Sequence, residues 1–275
     1  MGIRIVTDSA CDLPAEVVAK HGITVVPLTI RFGEEEFTDI SPKDFWAKCA
    51  ASPKLPETAA PSPGQFEQAY RKLKAEGATG VLVINLSRAL SATIQSAELG
   101  ARACAGDVDV TIVDSQTVSL GTGLIIIRCA ELAATGASLA EVAALAENLI
   151  GRTKVFGALD NLENLKKGGR IGGAKALVAS ALAIKPIIEV RDGKVEEGGR
   201  QRTRSKSLAF LKDVLAKNMP IESLAVLQAD CDDTDAFLAS LHELYAGEII
   251  VGDIGAVVGT HAGKGTIGIA FITPK

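Results

Sequence analysis

The chain has 275 residues with 29 Lys+Arg against 33 Asp+Glu, a formal net charge of -4; it is long enough for about two domain cores, and its lack of basic excess speaks against nucleic acid or another polyanion as partner. Hydrophobic residues make up 47%, which excludes a disordered chain. No apolar run reaches the ~18 residues of a spanning helix, and the N-terminus enters a strand pattern with no signal-peptide core, so a cytoplasmic protein without stable membrane insertion is expected.

Residues 3–6 predict a short strand ending in Thr7-Asp8-Ser9, after which Asp12-Leu13-Pro14 opens a helix with Pro near its first turn. Residues 23–30 read as a second strand, 34–39 as a charged turn or edge hairpin, and 42–50 as a helix carrying the only tryptophan, Trp46. Residues 52–64 hold four prolines (Pro53, Pro56, Pro61, Pro63) and no periodicity, which predicts a stiff loop of a kind that is often functional. A helix over 65–76 leads into 81–86, an apolar run that reads as a strand buried on both faces. Ser91 then sits where a helix N-cap belongs, so its hydroxyl and the N–H groups of Ala92, Thr93 and Ile94 can converge on one small anion or simply cap the helix. A strand over 108–113 ends in Asp114-Ser115, and helices follow over 118–134 and 139–150.

Beyond Thr153 the style changes. Residues 155–159 read as a strand and 161–167 as a short helix closed by Gly168-Gly169. Residues 184–190 and 194–198 flank Asp192-Gly193, a type I′ hairpin signal. Helices over 205–217 and 233–245 alternate with strands over 223–228 and 249–251, and short extended segments over 257–260 and 267–272 finish the chain. The pattern predicts an α/β protein: an N-terminal domain (1–153) with a mostly parallel sheet and flanking helices, and an α+β domain (154–275) with a mixed sheet.

In parallel sheets ligands sit beyond the carboxyl ends of the strands. Three of the four predicted N-terminal strand ends carry hydroxyls: Thr7 and Ser9, Ser87 and Ser91, and Ser115. The run Gly259–Gly265 places His261 among glycines, between two expected strands, where it can meet a carboxylate or phosphate or be an incidental surface residue. Arg170, Arg200, Arg202 and Arg204 form a basic group that reads equally as a solvated rim. Walker and G-x-G-x-x-G signatures are missing. The five cysteines show no C-x-x-C spacing and the three histidines no i, i+4 pair, so neither a metal nor a cofactor is expected. Ser9, Asp114 and His261 follow the chain order of an α/β-hydrolase triad, which keeps a Ser-dependent lipid hydrolase open as an alternative, although Ser9 lacks the G-x-S-x-G elbow. A small-anion binder is the other alternative.

Taken in order, T-D-S-A-C-D-L-P (7–14), V-V-P-L (25–28), T-A-A-P-S-P-G-Q-F (58–66), L-S-A-T-I-Q-S-A (90–97), V-D-S (113–115), L-K-K-G-G-R-I (165–171), I-K-P-I (184–187), Arg202-Thr203 and G-T-H-A-G-K-G (259–265) resemble the DegV family along nearly the whole chain. That family comprises bacterial fatty-acid-binding proteins that serve as the substrate-presenting subunit of fatty acid kinase. The resemblance implies one long-chain fatty acid held between the two domains, its carboxylate bound by Thr58, Ser91 and His261 with Ser9, Ala92 and Thr93 in support. It further implies that Arg170 and Arg202 face a separate ATP-dependent kinase subunit, which forms the acyl phosphate for phospholipid metabolism, so that this chain has no catalytic residue of its own. Three motifs depart from the family's usual pattern. Ala59 replaces a Ser, Ala92 a Gly, and Ala262 with Lys264 stand in place of Thr and Pro. Apolar stretches 118–127 and 174–184 are expected to line the tail slot.

Overall fold

The computed structural model describes residues 2–178 and 184–275. Its architecture is α/β, with three sheets. The first is four-stranded and wholly parallel, in the order β2-β1-β6-β7, from β1 (Ile3–Asp8), β2 (Thr24–Val26), β6 (Gly80–Asn85) and β7 (Val110–Asp114). Every residue of β6 is buried, as the unbroken apolar run predicts for a central parallel strand. The order reverses between β1 and β6, so a crevice opens beyond their carboxyl ends.

The second sheet is small and antiparallel, ordered β4-β3-β5, from β3 (Thr29–Phe32), β4 (Glu35–Phe37) and β5 (Glu57–Ala59). It corrects two expectations. The single strand over 23–30 is two strands in different sheets: Pro27 has no N–H to continue a ladder, and the Leu28 N–H is taken by Ser9 Oγ at 3.0 Å. The proline-rich stretch is not wholly loop either, because β5 lays Thr58 opposite Ile30. Between them runs α2 (Pro42–Ala51), capped by Ser41; α1 (Ala15–His21) precedes β2, and α3 (Pro63–Ala75) starts with a Ser62–Gln65 capping box.

The third sheet is six-stranded and mixed, ordered β10-β9-β8-β13-β11-β12. It comprises β8 (Thr153–Ala158), β9 (Lys185–Arg191), β10 (Lys194–Gln201), β11 (Ser223–Gln228), β12 (Ile249–Asp253) and β13 (Ile267–Ile272), with only β11 and β12 paired parallel. Asp192 and Gly193 both take positive φ (50° and 76°), the type I′ geometry expected of that dipeptide.

Helices α4 (Thr93–Ala103), α5 (Leu120–Ala134), α6 (Leu139–Ile150), α7 (Glu163–Lys167), α8 (Lys175–Val178), α9 (Arg204–Asn218), α10 (Thr234–His242) and α11 (Ala256–Ala262) complete the fold. The last is a correction, since residues 257–260 were expected to be extended. Two adjacent valines favour a strand, but here the segment starts at Gly255 and Thr260 Oγ1 donates back to the Ala256 carbonyl at 2.8 Å, and tertiary packing overrides the local preference. Strand membership changes between β7 and β8, yet one core continues across both halves through α5, which packs on β1 and β6 from one side and on β8, β11 and β13 from the other. Gly121 and Gly123 make this sandwich possible: a Cβ on Gly121 would run into Val155 and Thr117, and one on Gly123 would lie 2.8 Å from Leu13.

Candidate functional site

A cavity of about 310 Å³ opens where the β6 loop, β5, the β9–β10 hairpin, α7 and α11 meet. Its volume is at the lower end of small-molecule sites. The wall is mostly aliphatic: Leu86, Leu90 and Val118 come from the first half, Ile188 and Val190 from β9, Val257 and Val258 from α11. Of the stretches expected to line a tail slot, Val118 does so. The helix that follows it is instead buried in the shared core. Ala174 and Leu177 pack in a separate cluster with Leu159 and Ile171, and residues 179–183 lie outside the described residues.

Polar groups converge at one end of the cavity. Thr58 Oγ1 and His261 Nε2 are 3.1 Å apart although 203 positions separate them in sequence. Ser91 Oγ lies 2.9 Å from Thr93 Oγ1 and accepts from the Thr93 N–H at 3.3 Å. The helix α4 begins one residue later than the capping pattern suggests: Ala92 is the N-cap and Ser91 precedes it. Ala92 has φ -78°, so alanine is unstrained where the related pattern has glycine. The N–H groups of Ala92 and Ile94 donate to no acceptor among the described residues, as expected of a first turn with no capping side chain.

His261 is neutral near physiological pH. Burial, then the nearby Arg170 charge, pull its pKa down to about 4. Its Nδ1 is buried with no partner among the described residues and faces Gly168, where any Cβ would collide with the ring. A lone pair tolerates this position better than an N–H stripped of its acceptor. The Nε2–H tautomer is therefore favoured, with Nε2–H donating to Thr58 Oγ1, which leaves the threonine hydroxyl proton free for another acceptor.

Arg170 is part of the wall. Its Nε donates to the Leu90 carbonyl at 3.1 Å and its Nη1 to the Gly168 carbonyl at 2.7 Å. Arg170 and His261 are the only ionisable groups among the described residues lining the cavity, so a cation faces neutral donors. The sequence carried no signal that this arginine, rather than its neighbours, would turn inward. Arg202 is exposed just beyond the far end of β10, with the 8 residues of that strand between it and the hairpin turn, and thus roughly 25–30 Å along the strand. Arg200 is exposed too, while Arg204 grips both Asp233 carboxylate oxygens at 2.8 Å. Lys264 pairs with Asp230 away from the cavity, and the glycine-loop N–H groups of Gly263 and Gly265 donate to the Gly259 and Ala229 carbonyls.

The structure does not assemble the Ser9–Asp114–His261 triad. Ser9 accepts from Leu28, Asp114 accepts from the Arg88 and Gln116 N–H groups at 3.2 and 3.0 Å, and His261 is on Thr58. The Thr58–His261 pair does resemble a nucleophile with its base, but a base with a pKa near 4 and no group orienting Nδ1 has little pull on a hydroxyl proton.

An apolar cavity headed by hydroxyls, N–H groups and one arginine has the chemistry that an amphiphile with a small anionic head requires. The family model described as "Uncharacterised protein, DegV family" matches residues 2–274, and the chain belongs to the DegV family. A DegV domain-containing protein of Deinococcus radiodurans is 37% identical over 98% of each chain. Among solved structures, a fatty-acid-binding DegV family protein from Thermus thermophilus is 35% identical with a TM-score of 0.89 over 100% of both chains. A stearic acid-binding protein from Eubacterium ventriosum is 26% identical with a TM-score of 0.89 over 98% of both. No helix among the described residues is long and apolar enough to cross a membrane.

Proposed function

We propose that this protein binds one long-chain fatty acid in the cavity, carboxylate at the Thr58, Ser91 and His261 end, and presents that carboxylate to a separate ATP-dependent kinase subunit for acyl-phosphate formation. The observation that carries the binding half is the Thr58–His261 pair beside Ser91 at one end of an otherwise aliphatic cavity, in a chain whose relatives from Thermus thermophilus and Eubacterium ventriosum bind fatty acids.

The tail supplies affinity. Roughly 14 methylenes at about 0.8 kcal/mol each amount to on the order of 11 kcal/mol, much of it offset by the cost of association. The head supplies direction. A carboxylate leaving water costs several kcal/mol unless it is hydrogen-bonded, and Thr58, Ser91 and the Ala92 N–H offset that cost while Arg170 supplies opposite charge through its Nη2, which has no acceptor among the described residues. His261 stays neutral and aims the Thr58 hydroxyl. The presenting half rests on the family resemblance and on the weakness of His261 as a base, which leaves phosphoryl transfer to a partner that brings ATP and metal. Arg202, exposed and away from the cavity, faces that partner in this reading, and the setting is cytoplasmic.

Native mass spectrometry of protein made in lipid-replete cells, followed by denaturing extraction, tests the binding half. One acyl chain per protein is expected. Recovery of none, with sugar phosphates rather than fatty acids raising the melting temperature, would establish a small-anion binder instead.

A further inference from the structure

Three side chains at the end of β1 and in the turn after it each hold a different wall of the cavity, and none of the three lines it. Asp8 Oδ2 accepts from the Leu86 N–H at 2.9 Å and from Asn85 Nδ2 at 2.8 Å, which fixes the start of the loop carrying Leu90 and Ser91. Ser9 Oγ accepts from the Leu28 N–H at the foot of β3, the strand that pairs with β5 and sets Thr58 opposite Ile30. Asp12 Oδ1 accepts from the Gly255 N–H at 3.0 Å, the residue that begins α11, and its Oδ2 accepts from Ser119 Oγ at the start of α5.

We propose that this turn is the positioning hub of the head-group site, and that Asp12 sets the Thr58–His261 contact by holding the start of α11. The inference rests on reading that end of the cavity as the carboxylate site. Helix α11 has only seven residues. Its last turn carries His261, its flank is fixed where Asn164 Nδ2 donates to the Thr260 carbonyl at 3.0 Å, and its middle is seated by Gly259 against Phe45 and Trp46. The N-terminal end has Asp12. Without that acceptor the Gly255 N–H is left to find water, and the helix gains freedom to pivot about Gly259, which swings His261 away from Thr58. The backbone is consistent with a demand on geometry: Asp12 and Ser119, the two ends of one hydrogen bond, both hold positive φ (52° and 56°), a conformation that costs a non-glycine residue on the order of 1 kcal/mol and persists where surrounding contacts require it. Asp12 is thus a positioning residue acting through α11; it does not touch the ligand.

The test reads the imidazole directly, on the full chain without lipid, by ring-nitrogen NMR of His261 across pH. Asp12→Gly removes the carboxylate and accepts the positive φ without strain; Asp12→Asn also tolerates that φ and keeps an oxygen for the Gly255 N–H. Wild type is expected to show neutral imidazole with a midpoint about 4. In Asp12→Gly the ring becomes hydrated and the midpoint rises by at least one pH unit toward its ordinary 6.5, while Asp12→Asn restores the low midpoint. Ser119→Ala, which removes one of the two Asp12 partners, is expected to give a smaller rise and decides the matter if Asp12→Gly does not fold. A wild-type midpoint in folded Asp12→Gly, an equal rise in Asp12→Asn, or, where Asp12→Gly does not fold, no rise in Ser119→Ala, overturns the proposal. The readout involves no lipid, so failure of the Asp12 contact and failure of the fatty-acid reading are told apart.

Discussion

Replacing Gly168 by alanine separates the head-group geometry from fold stability. Gly168 has φ -76° and ψ -6°, which any residue adopts, so alanine brings no backbone strain and gains about 0.4–1 kcal/mol through the unfolded chain. The new Cβ, however, would fall against His261 Nδ1 and lie 2.8 Å from its Cε1 and 3.1 Å from the Asn164 carbonyl. Ordinary contacts are near 3.5–4.0 Å, so the imidazole must retreat by about 1 Å, and a hydrogen bond to Thr58 that begins at 3.1 Å no longer forms. Overpacking of this kind costs about 1–3 kcal/mol, and the backbone gain offsets part of it. Loss of one head-group hydrogen bond is worth about 1 kcal/mol, or roughly five- to tenfold in a rate or affinity that depends on it. Denaturant unfolding is expected to shift by no more than about 2 kcal/mol, tail-dependent retention of a fatty acid to change little, and phosphorylation of the bound acid by the partner kinase to fall roughly five- to tenfold. Unchanged phosphorylation with the Thr58–His261 contact intact in Gly168→Ala would refute the reasoning that this glycine makes room for the imidazole.

Ser91→Ala is expected to weaken kinase-dependent phosphorylation more than lipid retention, measured side by side, because in the proposed function the tail holds the ligand and the head only aims it; equal losses contradict that division. Asp12 and His261 pull stability in opposite directions with pH. Burial raises Asp12 to about 7 from 3.8, so its contribution is full below pH 3.8 and is lost as pH rises through 7; His261, depressed to about 4 from 6.5, contributes above 6.5 and loses that contribution as pH falls through 4. Asp12→Asn removes the first dependence and leaves the second. Its unfolding free energy relative to wild type is therefore expected to grow from pH 4 to pH 7 by on the order of 4 kcal/mol, and a pH-independent difference contradicts a carboxyl that ionises with difficulty. Gly121→Ala drives a methyl into Val155 and Thr117 and is expected to cost about 1–3 kcal/mol, lowering the melting temperature by several degrees in a scanning calorimeter.

The features that could be read from sequence are those a local rule controls. The β6 run and the Asp192-Gly193 turn each depend on neighbours a few residues away. What escaped depends on distant partners. Nothing near Pro27 says that the strand after it joins another sheet, or that Leu28 is held by Ser9, and the helicity of 256–262 rests on an aspartate 243 positions from Gly255 together with packing on Trp46. The central place of α5 had a signal: Gly121, Gly123 and a run of isoleucines leave its first two turns no polar face, as in a helix buried on all sides, and Arg128 and Glu131 bring its second half to the surface. For the site, of the strand-end hydroxyls Thr7, Ser9, Ser87, Ser91 and Ser115 only Ser91 lines the cavity, and the choice of Thr58, Ser91 and His261 came from the family resemblance. The structure brings Thr58 onto His261 and lays Ser91 along the same cavity. It also adds Arg170 and Gly168, whose roles depend on where α7 meets α11.

The most direct measurement is a crystal structure of the protein with the fatty acid that co-purifies with it. The account predicts one acyl chain in this cavity, its carboxylate within hydrogen-bonding distance of Thr58 Oγ1 and Ser91 Oγ and its tail running between Leu86, Val118 and Ile188. A ligand bound elsewhere, or one seated here with the carboxylate away from Thr58 and Ser91, would contradict it.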